Sequence, residues 1–331
     1  MKTFLTSAAM ALVLATPALA EYPEKTIQGI IQWGAGGSTD TVMRAVSPFA
    51  EEVLGEDIVL TNRTGGVGAI ATKFAMTQQA DGYTLLMGAE NPQIYKVMGL
   101  GDVDYNDFVP INILARGVPM LVAAPDAPYN TFEELIAYIQ ENPGEVRFGS
   151  TGPGGLASVV SAMITTQIEG VDVTTVPYDG DGPALTALMG GAIDVMPAVL
   201  GAAIENIKAG RMKPLVVFEP EANEVLPDTP AIVDTHPEFG KYLPWGPFFG
   251  VFTKNGTPDE AVAKLTEAFH AGAQAEEFQT LLENRGYELM DLSGDEAREF
   301  LNQWQSTTAW LIDEAGLAKV SPEEFDIPKP E

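Results

Sequence analysis

The residues of this 331-residue chain that could do chemistry are mostly small ones. "GAGGSTD" (34–40) places three glycines, two hydroxyls and an acid directly after the apolar run "TIQGIIQW". "FGSTGPGG" (148–155) repeats the theme with Ser150 and Thr151. Glycines let backbone N–H groups approach a bound group closely, and a helix that follows turns its positive end to the same point. Such loops suit anions. A nucleotide fits poorly, because a P-loop needs G-K-[ST] and Gly37 is followed by Ser38, Thr39 and Asp40. A dinucleotide fingerprint needs an acid closing the second strand, and "DIVLTN" ends instead at Asn62 and Arg63. A smaller anion remains. One helix end contributes roughly 0.3–1 kcal/mol when exposed and up to ~2 kcal/mol when partly buried. Stripping water from a carboxylate costs several kcal/mol, so two opposed loops are needed, with hydroxyl donors from Ser38, Ser150 and Thr151.

Catalytic patterns are scarce. G-x-S-x-G and H-E-x-x-H are absent, there are no cysteines, and no His/Asp/Glu cluster has metal-ligand spacing. Of the two histidines, His236 precedes Pro237 in a loop pattern and His270 lies in a helical one. The reading is a binding protein rather than an enzyme, with no cofactor and no metal. Charge excludes another class. Against 46 acidic residues stand 18 basic ones, a net of −28, and nucleic-acid binding needs a basic face. "MKTFLTSAAMALVLATPALA" reads as a cleaved signal peptide, with Lys2, an apolar run from Phe4 to Ala15, and an A-x-A site at Ala18–Ala20. The expectation is a protein exported to the periplasm, its mature chain starting at Glu21.

The elements that must carry these loops recur along the chain. "TIQGIIQW" leads through glycines into "TVMRAVSPFAEEVLG", and "DIVLTN" through "RTGGVG" into "AIATKFAMTQQADG". "EVRFGS" leads through "TGPGG" into "LASVVSAMITTQIEG", and "VTTVPY" through "DGDG" into "PALTALMGGAIDVM". Strands alternating with helices predict parallel-sheet α/β architecture, and the length predicts two domains. In the last third, "DEAVAKLTEAFHAGAQAEEFQTLLENRG" and "SGDEAREFLNQWQSTTAWLIDEAG" read as helices, with stops at Gly286 and Gly316.

Five blocks in order carry a resemblance. "YPEKTIQGIIQWGAGGSTDTVMR", "NRTGGVGAIATKFAMTQQADGYTLL", "FGSTGPGG", "VPYDGDGPALTALMGGAIDV" and "FGVFTKNGTP" resemble the extracytoplasmic solute-binding proteins of the tripartite tricarboxylate transporter, or Bug, family. The resemblance implies a two-domain periplasmic-binding-protein-like α/β fold of type II, with a crossover-strand hinge and a ligand cleft between the domains. It places residues 21–122 plus 245–331 in a discontinuous first domain and 123–244 in the second. It implies a monomer that captures a small carboxylate and delivers it to a membrane permease of one large and one small subunit. Carried over by motif, Trp33, Ala35, Gly36, Gly37 and Ser38 form one wall of the cleft. Asn91 flanks it, and Ser150, Thr151, Gly152 and Tyr178 face it. Gln32-Trp33 replaces the family's usual Pro-Phe, Thr64 its proline, and Pro153, Gly155 and Ser158 its frequent Asn, Ser and His.

Single residues retain competing readings. Trp33 is an aromatic platform beside the ligand or ordinary core. Tyr178 donates its hydroxyl to the ligand or packs at the domain junction. Asp40 is read as capping the helix or holding the first loop by accepting backbone N–H bonds, Arg44 as an internal ion-pair partner, and Asp194 as fixing a loop. A ligand sensor for a signalling receptor uses the same fold and stands as the alternative function, with a secreted hydrolase using Ser38 or Ser150 behind it.

Overall fold

The computed structural model describes residues 22–330, so the signal peptide read over residues 1–20 lies outside it. From Tyr22 the chain lays down β1 (Ile27–Ile31), α1 (Ser38–Leu54), β2 (Ile58–Asn62), α2 (Ala69–Thr77), β3 (Thr84–Ala89), α3 (Tyr95–Met98) and β4 (Phe108–Arg116). It then crosses at Gly117–Val118 into β5 (Pro119–Ala123), α4 (Phe132–Glu141), β6 (Arg147–Ser150), α5 (Leu156–Gln167), β7 (Thr174–Pro177) and α6 (Asp181–Met189). β8 (Val195–Val199), α7 (Leu200–Lys208), β9 (Lys213–Val217) and α8 (Ile232–Thr235) complete that excursion. The return brings β10 (Phe248–Lys254), α9 (Asp259–Ala273), α10 (Glu276–Arg285), β11 (Glu288–Leu292) and α11 (Gly294–Glu314). Among the described residues no helix is long and apolar enough to cross a membrane.

Two sheets result. The first has the order β11-β4-β10-β3-β1-β2 and the second β7-β6-β8-β5-β9. Strands joined by helical crossovers pair in parallel: β1 with β2 and β3, and β6 with β7 and β8. The remaining strand pairings are antiparallel. β10 runs antiparallel to β3 and β4, β11 to β4, and β5 to β8 and β9. The chain passes between the sheets from β4 to β5 and from β9 to β10 without an intervening sheet-packed crossover, and β4 and β5 each run antiparallel between two strands of their own sheet.

β5 shows why the second sheet needs helices on both faces. All five of its residues are buried. Leu121 and Ala123 join the large core shared with α4 and α5, while Met120 and Val122 join the smaller core under α6 and α7. This is the period-2 alternation of a strand covered on both sides.

The crossings form a tight hinge. Gly117 N donates to Pro247 O at 2.7 Å, and a Cβ on Gly246 would run into Gly117 O. α11 brackets the hinge: Trp304 Nε1 donates to Gly246 O at 2.8 Å and Trp245 Nε1 to Thr308 Oγ1 at 2.9 Å. Arg116 adds an ionic tie, reaching Glu219 Oε1 at 2.5 Å and Glu288 Oε2 at 2.6 Å.

Candidate functional site

The parallel strands of both sheets aim their carboxyl ends at one place, the usual location of a ligand crevice in open α/β sheets. Trp33 follows β1, Glu90 follows β3, Thr151 follows β6, Gly180 and Asp181 follow β7, and Val199 ends β8. Together with Gly37, Ser38, Thr39, Ala89, Leu156, Pro247 and Phe249 they enclose a space of about 30 Å³, roughly two waters in size.

The lobes are closed upon each other here. Gly34 N donates to Asp179 O across the cleft at 3.1 Å, and Asn91 Nδ2 donates to Gly154 O at 3.3 Å. Glycine at 182 permits the approach, since a Cβ there would lie 3.0 Å from Gly37 N and closer still to Ala35 O.

Three helices begin at this junction without a side-chain cap: α1 after Gly37, α5 after Gly155 and α6 after Gly180. Their first-turn N–H groups are the donors a bound anion would use. Ser38, in the first turn of α1, is 4% exposed, and its Oγ has no hydrogen-bond partner. It lies beside Asp181 and Tyr287, whose hydroxyl is likewise buried and unpartnered.

The first loop is held from behind. Asp40 accepts from Gly36 N at 3.0 Å, Asn62 Nδ2 at 2.9 Å and Arg44 Nε at 2.8 Å. Asn62 Nδ2 also donates to Trp33 O at 2.8 Å. Gln32 is fully buried beneath the wall. It donates to Thr72 Oγ1 and accepts from Ala89 N, both at 2.8 Å, tying β1 to α2 and β3.

Of the residues singled out from sequence, Trp33, Gly37, Ser38 and Thr151 line the enclosed space. Ala35 and Gly36 are exposed and outside the lining. Asn91 spends its amide on the inter-lobe bond, leaving its Oδ1 buried and unpartnered. Ser150 Oγ turns back to accept from Gly152 N at 3.0 Å, so it serves its own turn. Gly152 has φ +97° and packs near Val67. Tyr178 is half-buried against the second lobe's core, outside the lining. Asp194 sits at the start of β8, at the other end of that strand from Val199. There it accepts from Arg147 N and pairs with the Arg147 guanidinium. His236 and His270 lie outside the lining.

Sequence reasoning missed the two acids. Glu90 is 4% exposed, and burial pushes its carboxyl up to about 8. Asp181 is partly exposed as a residue, yet burial of its carboxyl raises it to about 6, opposed by a hydrogen bond from Val199 N. A signal existed: Glu90 directly follows β3 and Asp181 lies four residues past β7, both beyond the carboxyl end of a parallel strand. A search for anion donors passes over acids.

A family model described as the tripartite tricarboxylate transporter family receptor matches residues 42–317. The chain is similar to BugT of Bordetella pertussis, 28% identical over 313 residues that cover 92% of this chain and 93% of that protein. Among solved structures it is similar to the periplasmic binding protein BugD, with 28% identity and TM-score 0.84 over 90% of this chain and 99% of that one. MatC from Rhodopseudomonas palustris, solved with bound malate, is 25% identical with TM-score 0.80 over 89% and 100% of the two chains. An R. palustris protein solved with adipate is 25% identical with TM-score 0.82 over 90% and 99%. The two-sheet architecture is that of periplasmic binding proteins.

Proposed function

The chain belongs to the tripartite tricarboxylate transporter family of receptors, and we propose that it captures a small carboxylate between its two lobes in the periplasm. In this reading the loaded receptor hands its solute to a membrane permease of one large and one small subunit. The observation that carries the reading is the Ser38 hydroxyl, buried and unpartnered at the start of α1 on the wall of the inter-lobe space. A buried polar group without a partner costs about 1–3 kcal/mol, and a solute oxygen placed there removes that cost. The uncapped N–H groups of α1, α5 and α6 supply further donors without a lysine or arginine. The malate and adipate held by two relatives belong to the same chemical class. Gly37, Ser38, Thr39 and Thr151 are the proposed contact residues, with Asp40 holding their loop.

A thermal-shift screen of mono-, di- and tricarboxylates, sugars and metal ions tests the reading. A true solute at 100 times its dissociation constant adds ~2.7 kcal/mol of stability. A carboxylate response that Ser38→Ala weakens roughly three- to tenfold supports the site. A response confined to sugars or metal ions overturns it. Export is tested separately by the mature N-terminus, expected at Glu21.

A further inference from the structure

We propose that the captured solute carries a positively charged nitrogen as well as a carboxylate, and that Glu90 of the first lobe and Asp181 of the second hold that nitrogen between them. The inference rests on reading the inter-lobe space as the solute site, and it deepens that reading by naming the solute class.

Both acids line the same enclosed space, and no lysine, arginine or histidine lines it with them. Neither takes part in any ion pair among the described residues. The other titratable groups acting on Glu90 are Asp181 across the cleft and, beneath it, the Tyr95 and Tyr105 hydroxyls. All of these are acids or phenols, and none supplies positive charge. A buried carboxyl without a cationic partner is costly, and a charged nitrogen brought in by the solute would be that partner.

Asp181 has a second duty at the start of α6, where it accepts one long bond of 3.4 Å from Val199 N. That duty does not explain Glu90, which enters from the opposite lobe. Trp33 and Phe249 line the space as well, and aromatic rings attract desolvated cations. The unpartnered Ser38 hydroxyl lies beside Asp181, so an oxygen site and a nitrogen site adjoin. Closing the lobes brings the two acids together. A cation between them would therefore favour the closed arrangement, whereas a purely anionic solute would meet two acids.

The test uses matched pairs that differ in one charge. Glycine betaine is set against 3,3-dimethylbutanoate, and 4-aminobutanoate against pentanoate. Affinities are measured calorimetrically on the mature protein, on Glu90→Gln and on Asp181→Asn, with melting curves confirming that each variant folds. The charged-nitrogen member is expected to bind at least tenfold tighter in one or both pairs, and each variant to erase most of that advantage. Equal affinity within both pairs overturns the inference and leaves the carboxylate reading intact. So does binding of a purely anionic acid from the thermal-shift screen when no charged-nitrogen member binds. An affinity for plain carboxylates that survives Glu90→Gln but falls as pH rises shows instead a protonated Glu90 donating to the solute, which also overturns the inference. If no acid of either set binds, the carboxylate reading itself falls.

Discussion

Glu90 is buried next to Asp181, Tyr95 and Tyr105, and its burial has a pH signature. With its folded carboxyl raised to about 8 and an unfolded value of ~4.3, the folded chain keeps a proton that the unfolded chain has lost. The stability this brings is fully present in acid and disappears as pH rises from about 4 through about 8. Solute-free protein should therefore lose on the order of a few kcal/mol between pH 5 and 8.5 relative to Glu90→Gln. Melting curves of both proteins across that range check this, and curves that stay parallel would remove Glu90 from the titration. Trp33, Gly37, Ser38 and Thr151 were legible in the sequence because a strand, a glycine turn and a helix start locate them without tertiary information. Glu90 and Asp181 were not. Their meaning depends on two lobes facing each other, which no local pattern encodes. Gly37 also changes its meaning. Its φ is −83°, so it is not a left-handed turn residue, and a Cβ there would sit 3.4 Å from Gly182 N. Gly37→Val should fold normally yet press on the facing loop, weakening solute binding more than tenfold. A variant that melts lower and binds unchanged would refute that.

Among the elements, α7 controls the approach of the second lobe to the first. Gly201 in its first turn packs so closely on Tyr287 that an added Cβ would overlap the ring, and Arg285 donates to Gly201 O at 3.2 Å. Helix propensity alone favours alanine there by ~1 kcal/mol, so propensity and packing predict opposite signs. Gly201→Ala should leave the melting temperature of solute-free protein unchanged or raised, because the lobes can part to relieve the clash. Solute affinity should drop by tenfold or more. A variant that both binds and closes like wild type would show that Tyr287 yields easily. Element starts and stops were the readable part of the sequence. α9 begins at Asp259 and α11 at Gly294, and Gly286 caps α10 with φ +68°. The break between α9 and α10 at Gln274–Ala275 and the short strand β11 escaped notice. The apolar period hardly changes across the break, and β11 is only half-buried at an edge.

At the scale of the whole molecule, hinge and cleft work against each other. The crossings at Gly117 and Gly246 pack backbone on backbone, and Arg116 ties Glu219 to Glu288 beside them. Away from the Arg116 tie, the direct hydrogen bonds found between the lobes are few: Gly34 to Asp179, Asn91 to Gly154, Arg285 to Gly201 and a long one from Lys241 to Glu314. Net hydrogen bonds contribute only about 0.5–1.5 kcal/mol each, and a net charge of −28 opposes compaction. A closed molecule held by so few bonds should open readily without solute and shut when solute adds contacts to both lobes. Small-angle scattering should then show a smaller radius of gyration on adding a solute already known to bind. Raising ionic strength should shift the solute-free molecule in the same direction, because a Debye length of ~10 Å at 0.1 M falls to ~3 Å at 1 M. Gly201→Ala should remain expanded even at saturating solute. Scattering curves that coincide with and without bound solute, in low salt, would show that the inter-lobe contacts alone keep this molecule shut.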